Sequence, residues 1–112
     1  MNPDSVLDLL LRANQLKRVP RAGWVMRGLA DAESVSDHTF GVAFIALVLA
    51  HMTEQPIDVA KLLTIALLHD LPEAVLGDVP SPALGYLPSN VKRTAEAEVL
   101  TALLKELPRL VQ

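Results

Sequence analysis

The chain has 112 residues, which is enough for one small domain with a single core and too few for two. Cysteine is absent and the net charge is -3, so disulfide and thiolate chemistry are excluded and a basic groove for a nucleic-acid polymer is disfavoured. The mean hydropathy of +0.33 is high for one soluble domain, which predicts that a partner subunit or further chain covers part of the apolar surface.

No membrane or export segment is expected. The first four residues are polar and acidic and do not resemble a basic, apolar leader. The longest uncharged stretch, 38–53, falls short of the ~20 apolar residues that a membrane span needs. It is interpreted as a buried core helix, and a cytoplasmic location is expected.

The first half of the chain predicts two helices separated by a loop. Apolar positions at helical spacing indicate a first helix that Asp4 or Ser5 caps and that ends near Lys17. A loop over 18–35 follows, with one proline and two glycines. The second helix, about 36–52, has Ser34 and Ser36 as candidate caps. Because it is apolar almost all round, it is predicted to be central in the packing.

The second half predicts two more helices around a proline-rich turn. Pro56 and Asp58 open a third helix over about 57–70, which ends before the Leu71-Pro72 step. A short helical turn over 72–76 and a stiff loop over 77–82 lead to a last helix over about 89–107. No repeat and no alternating strand pattern occurs. The prediction is therefore one all-α domain, 1–112, of about five helices.

His69 and Asp70 end an otherwise apolar helix, where polar side chains need a partner. A divalent cation would satisfy an imidazole and a carboxylate together. The alternative is structural: Asp70 caps the next helix, Glu73 completes a capping box, and His69 covers the edge of the core. For this dipeptide alone, the structural alternative is favoured.

His38 makes a metal site more credible. It begins the second apolar helix, and the linker to the third helix is short. If these two helices pack antiparallel, His38 and His69 become neighbours. Two imidazoles and one carboxylate form a partial metal shell with open positions. The structural alternative for His38 is a histidine at the start of a helix that bonds to the backbone. His51 has no acidic residue near it in the sequence and is interpreted as a helix-end residue.

Three ordered blocks resemble one known family, the HD-domain 5'-deoxynucleotidases. They are Leu16-Lys17-Arg18-Val19-Pro20-Arg21-Ala22-Gly23-Trp24, Glu33-Ser34-Val35-Ser36-Asp37-His38 and Leu68-His69-Asp70-Leu71-Pro72-Glu73-Ala74-Val75-Leu76-Gly77-Asp78-Val79-Pro80. The resemblance runs from about residue 6 to about 108. Together the blocks are far more specific than an HD dipeptide.

The resemblance implies a compact helical HD-domain bundle, a homodimer, and one divalent metal ion (Mn, Co, Fe, Zn or Mg). It implies metal ligation by His38, His69 and Asp70. It implies that Glu73 assists the attacking water and that Asp78 binds near that water. For substrate binding, the family pattern matches Arg21 to the phosphate and places Trp24 in the corresponding loop. The implied activity is phosphate release from (deoxy)nucleoside 5'-monophosphates.

One departure from the family pattern bears on activity. The family's fourth metal ligand is an aspartate on a downstream helix, and no aspartate follows Asp78 in this chain. We therefore expect the C-terminal helices of the family to be missing. Two alternatives remain open: a catalytically impaired HD-fold binding or dimerisation module, and an HD phosphodiesterase or pyrophosphohydrolase acting on another nucleotide.

Overall fold

The described residues fold into helices and turns, and no β-strand occurs among them, which confirms the all-α class. The computed structural model describes residues 2–22, 28, 32–77, 85–88 and 90–111. The five described α-helices are α1 (Pro3–Asn14), α2 (Val35–Met52), α3 (Val59–Leu68), α4 (Glu73–Leu76) and α5 (Val91–Leu103). The first 3₁₀ turn, Gln15–Arg18, follows α1 directly, and the second, Pro108–Val111, follows α5 after a short turn.

Helix α1 begins earlier than predicted, because Asn2 caps it instead of Asp4 or Ser5. The Asn2 side chain accepts a hydrogen bond from the Asp4 backbone N–H at 2.9 Å. Pro3 occupies the first helical position, where its missing N–H costs nothing. The α-helix ends at Asn14 and tightens into the first 3₁₀ turn, so the helical path reaches close to the predicted end at Lys17.

The caps of α2 and α3 follow the sequence closely. Ser34 caps α2, and the Asp58 side chain caps α3 by accepting a hydrogen bond from the Lys61 N–H at 3.0 Å. Helix α3 ends at Leu68, so the His69-Asp70 doublet lies in the turn that follows the helix.

Helix α5 is shorter at both ends than the predicted 89–107. It ends at Leu103, where the Leu104 N–H still donates to the Leu100 carbonyl, and a turn leads from there to Pro108.

The core is small and lies where four segments meet. Its buried members are Leu16 of the first 3₁₀ turn, Val35 at the start of α2, Leu71 after α3, and Leu104 after α5. Val35 stands three residues before His38, and Leu71 directly follows the doublet. The core therefore fixes both histidine-bearing segments relative to each other.

The prediction that α2 is central in the packing is wrong for the described molecule. Helix α2 packs against α3 and the first 3₁₀ turn, yet only Val35 and Thr39 are buried along its length. Phe40 is 72% exposed and Met52 is 74% exposed. An all-round apolar composition indicates that every face is to be covered, but it does not say by which molecule.

Helix α2 also meets the length and composition of a membrane-crossing helix, with 18 residues and a mean hydropathy of 1.4. Core helices of soluble proteins meet the same criterion, so this property alone does not indicate a membrane.

The loop between the first 3₁₀ turn and α2 is closed at its base by backbone pairing. Pro20 and Ser34 form an isolated antiparallel bridge. The Arg21 N–H donates to the Glu33 carbonyl at 2.9 Å, and the Val35 N–H donates to the Val19 carbonyl at 2.7 Å. These bonds hold Arg21 close to the start of α2.

Candidate active site

One cavity between α2 and α3 gathers four of the seven predicted site residues. It has a volume of about 330 Å³, and its polar lining includes Arg21, His38, His69 and Asp70. Its walls are completed by Thr39, Val42, Ala46, Leu62, Ile65 and Ala66. His38 and His69 therefore line the same cavity, which agrees with the predicted packing of α2 on α3.

A capping box positions His38 in the first turn of α2. The Asp37 N–H donates to Ser34 Oγ and the Ser34 N–H donates to Asp37 Oδ2, both at 3.0 Å. The hydrogen bond from the Ser34 backbone N–H, reinforced by the bond with the Ser34 side chain, holds the pKa of Asp37 below its usual 3.8. The ionised box fixes the backbone immediately before His38.

Glu33 bridges two of the cavity residues, a role that the sequence analysis did not assign. Its Oε1 lies 3.6 Å from His38 Nδ1 and 3.9 Å from Arg21 Nε. Arg21 Nε is buried and has no hydrogen bond in the described part of the chain. An arginine N–H in this state is available to an anion in the cavity. The signal in the sequence is an acid five residues before His38.

His69 and Asp70 form a direct hydrogen bond, with His69 Nδ1 2.8 Å from Asp70 Oδ1. When the carboxylate accepts this hydrogen bond from a neutral imidazole, Nδ1 is the donor and the Nε2 lone pair is left for a cation. The His69 side chain is 75% exposed, whereas that of Asp70 is 14% exposed. The structural alternative for Asp70 is not found, because no side chain caps α4.

The remaining predicted residues lie apart from this lining or outside the described residues. Glu73 is 7% exposed and begins α4, where its N–H donates to the Asp70 carbonyl at 3.0 Å. It is not among the residues that line the cavity. Trp24 and Asp78 lie outside the described residues. The roles of these three residues stay predictions.

Thr39 is a cavity residue that the sequence analysis missed. It is 9% exposed, and its Oγ1 has no hydrogen-bond partner within the described ranges. A buried hydroxyl without a partner costs free energy, so the Thr39 hydroxyl is available to a group bound in the cavity. The available signal was a polar residue directly after His38 inside an apolar helix.

The donor types around the cavity suit a divalent cation, although they do not converge on one point. Imidazole nitrogen and carboxylate oxygen are ligands that transition metals accept. The unpartnered Thr39 hydroxyl in the same lining also fits a bound ion, water or oxyanion. Among the described residues, no three His, Asp or Glu side chains lie close enough to hold one metal ion.

Comparison with known families agrees with this arrangement. The family model described as "HD domain" matches residues 13–112. The chain belongs to the HD-domain family. Its match covers the cavity, the two cavity histidines and the whole of α2 through α5.

Curated relatives of this HD domain carry the name 5'-deoxynucleotidase. It is 38% identical over 104 residues to 5'-deoxynucleotidase HDDC2 of Danio rerio, which covers 92% of this chain and 50% of that protein. It is 36% identical over 103 residues to 5'-deoxynucleotidase HDDC2 of Homo sapiens, which covers 91% of this chain and 49% of that protein. The chain thus spans about half the length of the curated relatives it matches.

Solved structures share the fold of this HD domain. A conserved hypothetical protein from Pyrococcus furiosus has a TM-score of 0.83 and 46% identity, covering 93% of this chain and 63% of that one. A protein from Pyrococcus horikoshii has a TM-score of 0.81 and 40% identity, covering 93% of this chain and 60% of that one.

Proposed function

We propose that this HD domain is a divalent-metal-dependent phosphohydrolase that releases phosphate from (deoxy)nucleoside 5'-monophosphates in the cytoplasm. The cavity carries the proposal, because it combines an arginine N–H that makes no hydrogen bond in the described structure, two imidazoles and a carboxylate. Its volume of about 330 Å³ lies at the small end of ligand pockets, which reach about 1,000 Å³. A nucleotide would be the small-molecule partner, and a second copy of the chain the protein partner.

His38, His69 and Asp70 would hold the metal ion, which would be Mn, Co, Fe, Zn or Mg. Bound there, the ion would polarise the phosphoryl oxygen as a Lewis acid and would lower the pKa of a water molecule. The hydrogen bond to Asp70 sets the His69 tautomer so that Nε2 is the ligating atom. The Glu33 carboxylate lies 3.6 Å from His38 Nδ1, too far for a hydrogen bond, and would favour a positive charge at this end of the cavity.

Arg21 would neutralise the phosphate through its Nε–H, which makes no hydrogen bond in the described structure. Glu73 would accept the proton of the attacking water, and Asp78 would orient that water or the leaving 5'-oxygen. Trp24 would lie beside the base. These assignments rest on the resemblance.

One observation favours a second candidate function, a catalytically impaired binding or dimerisation module. Within the described part of the chain, no three metal-type ligands converge, and the outward side of α2 is apolar and exposed. A third candidate keeps the cavity and changes the substrate to a phosphodiester or a pyrophosphorylated nucleotide.

Phosphate release by the purified 112-residue chain separates these candidates. The chain is stripped of metal, loaded with Mn²⁺, Co²⁺ or Mg²⁺, and supplied with deoxynucleoside monophosphates, a dinucleotide or a nucleoside triphosphate. His69→Ala abolishes release if the cavity is the site. The matched control is His51→Gln, since His51 is an exposed histidine that does not line the cavity.

Elemental analysis gives a readout that does not depend on turnover. Retained metal without release from any substrate supports the binding module. No uptake by the wild-type chain, or uptake unchanged in His69→Ala, contradicts the proposed metal site.

A further inference from the structure

We propose that a groove between α3 and α5 is a second ligand site of the chain, which binds a small organic anion with an apolar body. We call it the α3/α5 groove. It has a volume of about 490 Å³, and its lining comes from α3, the turn after it, α5 and the second 3₁₀ turn. Binding of the anion does not depend on the proposed activity.

The floor of the α3/α5 groove is apolar and is held in place by the core. Leu68 and Leu100 line the groove and also pack against the buried core residues, which fixes their positions. Ile65 and Leu110 line it as well and are 54% and 39% exposed. An apolar ligand group that covers these side chains removes them from water, which favours binding.

Two cations without ion-pair partners lie beside this floor. Lys61 and Arg93 line the groove and are exposed, and neither side chain pairs with an acid in the described part of the chain. The one acid of the lining, Glu96, has its Oε1 3.4 Å from Lys92 Nζ, so its charge is compensated. The whole chain has a net charge of -3, yet this groove carries an excess of positive charge.

The floor and the cations together determine the chemistry of the ligand. A neutral apolar molecule would leave Lys61 and Arg93 without a counter-charge, and an inorganic anion would leave the floor uncovered. An anion with an apolar body satisfies both, because the body lies on the floor and the anionic group lies beside the two cations.

The size of the groove favours a small molecule over a helix of another protein. Ligand pockets have volumes of about 300–1,000 Å³. One turn of a helix with its side chains, about 10 Å wide and 5.4 Å long, occupies about 420 Å³. The α3/α5 groove therefore has room for one small ligand or for little more than a single helical turn.

The groove shares part of its lining with the active-site cavity. Ile65 and His69 line both spaces, so a ligand in the groove contacts the imidazole on which the proposed metal site depends. Any effect is reciprocal: if the anion changes the affinity for metal, metal changes the affinity for the anion by the same factor. This coupling, unlike the binding itself, rests on the proposed function.

Nuclear magnetic resonance of the ¹⁵N-labelled 112-residue chain locates the site, with octanoate as the probe. Shifts are expected at backbone amides of the groove lining in α3 and α5. Hexanoate is expected to bind about 16-fold more weakly, because each methylene group contributes about fourfold. Octan-1-ol, which has the same body without the charge, is expected to bind at least fivefold more weakly than octanoate.

Two substitutions test the cations. Lys61→Gln and Arg93→Gln are each expected to raise the Kd for octanoate about two- to fivefold, as expected for exposed ion pairs. Lys17→Gln is the matched control, because Lys17 is an exposed cation outside the groove. It is expected to leave the Kd unchanged.

A third substitution tests the space itself. Ala97 lines the groove and is exposed, so Ala97→Leu fills the floor while it keeps a good helix former in α5. The Kd for octanoate is expected to rise at least tenfold. Ala102→Leu, the same change at an exposed position of α5 outside the groove, is expected to leave it unchanged.

Calorimetric titration with Mn²⁺, with and without saturating octanoate, tests the coupling. The affinity of the wild type for Mn²⁺ is expected to change at least twofold, and that of Ala97→Leu is expected to stay the same. Equal affinities in the wild type would overturn the coupling. A wild type that takes up no Mn²⁺ but still shows the octanoate shifts would contradict the proposed function and support the groove as a ligand site.

Three results would overturn the proposed ligand site. The first is octanoate shifts confined to the exposed side of α2. The second is a Kd that neither the two charge substitutions nor Ala97→Leu alters. The third is a shift of the groove resonances on dilution without octanoate, which would make a second copy of the chain the occupant.

Discussion

Replacing Thr39 with valine should stabilise the protein while weakening its function. The Thr39 hydroxyl is buried and has no hydrogen-bond partner in the described structure. Valine has nearly the same shape, and removal of an unsatisfied buried hydroxyl recovers part of a penalty of about 1–3 kcal/mol. We expect the free energy of unfolding to rise by about 1–2 kcal/mol, and the melting temperature by about 4–8 °C in a domain of this size.

The functional cost should appear in the same variant. A hydrogen bond from the hydroxyl to a charged ligand contributes about 1.5–3 kcal/mol, which corresponds to about a 10- to 100-fold loss in kcat/KM or in affinity for inorganic phosphate. Isothermal titration with phosphate on the metal-loaded chain measures this loss separately from stability.

Thr64→Val is the matched control, because the Thr64 hydroxyl donates to the Ala60 carbonyl at 2.8 Å in α3. Its removal should leave phosphate binding unchanged and should not stabilise the fold. Thermal and urea unfolding of the ligand-free variants measure the comparison. If Thr39→Val lowers the free energy of unfolding, the hydroxyl has a structural partner and the reasoning about the cavity fails.

Three other changes test the surrounding structure. Ser34→Ala removes the cap of α2 and should lower the free energy of unfolding in urea by about 1 kcal/mol. Glu33→Gln keeps the shape of the side chain and removes the charge beside Arg21 and His38. Metal uptake by this variant should be weaker than by the wild type. Equal uptake by the two proteins at every pH would show that Glu33 does not orient the site. Leu104→Ala opens the small core and should cost about 2–5 kcal/mol, whereas Leu10→Ala on the exposed side of α1 should change stability by less than about 0.5 kcal/mol.

Local signals predicted the parts of the fold that local interactions decide. Ser34 and Asp58 cap their helices because a side-chain oxygen within reach of a free N–H is sufficient. The meeting of His38 and His69 could also be predicted, since a short linker forces α2 and α3 to pack side by side. The family pattern placed Arg21 in the same cavity.

Features that depend on tertiary contacts could not be predicted. The hydrogen bond between His69 and Asp70 needs the turn that follows α3, and the bridging position of Glu33 needs the closed loop base. Sequence composition also could not tell a helix buried within the chain from one with an open side. That difference led to the wrong expectation for α2.

The closed base of the loop before α2 makes the position of Arg21 independent of the residues in the loop. Because the chain is paired at Pro20 and Ser34, the distance between Arg21 and the start of α2 does not depend on what lies between them. Changes in loop length cost little once the ends are joined. We therefore expect substitutions or insertions between Arg21 and Glu33 to leave the spacing between Arg21 and His38 unchanged.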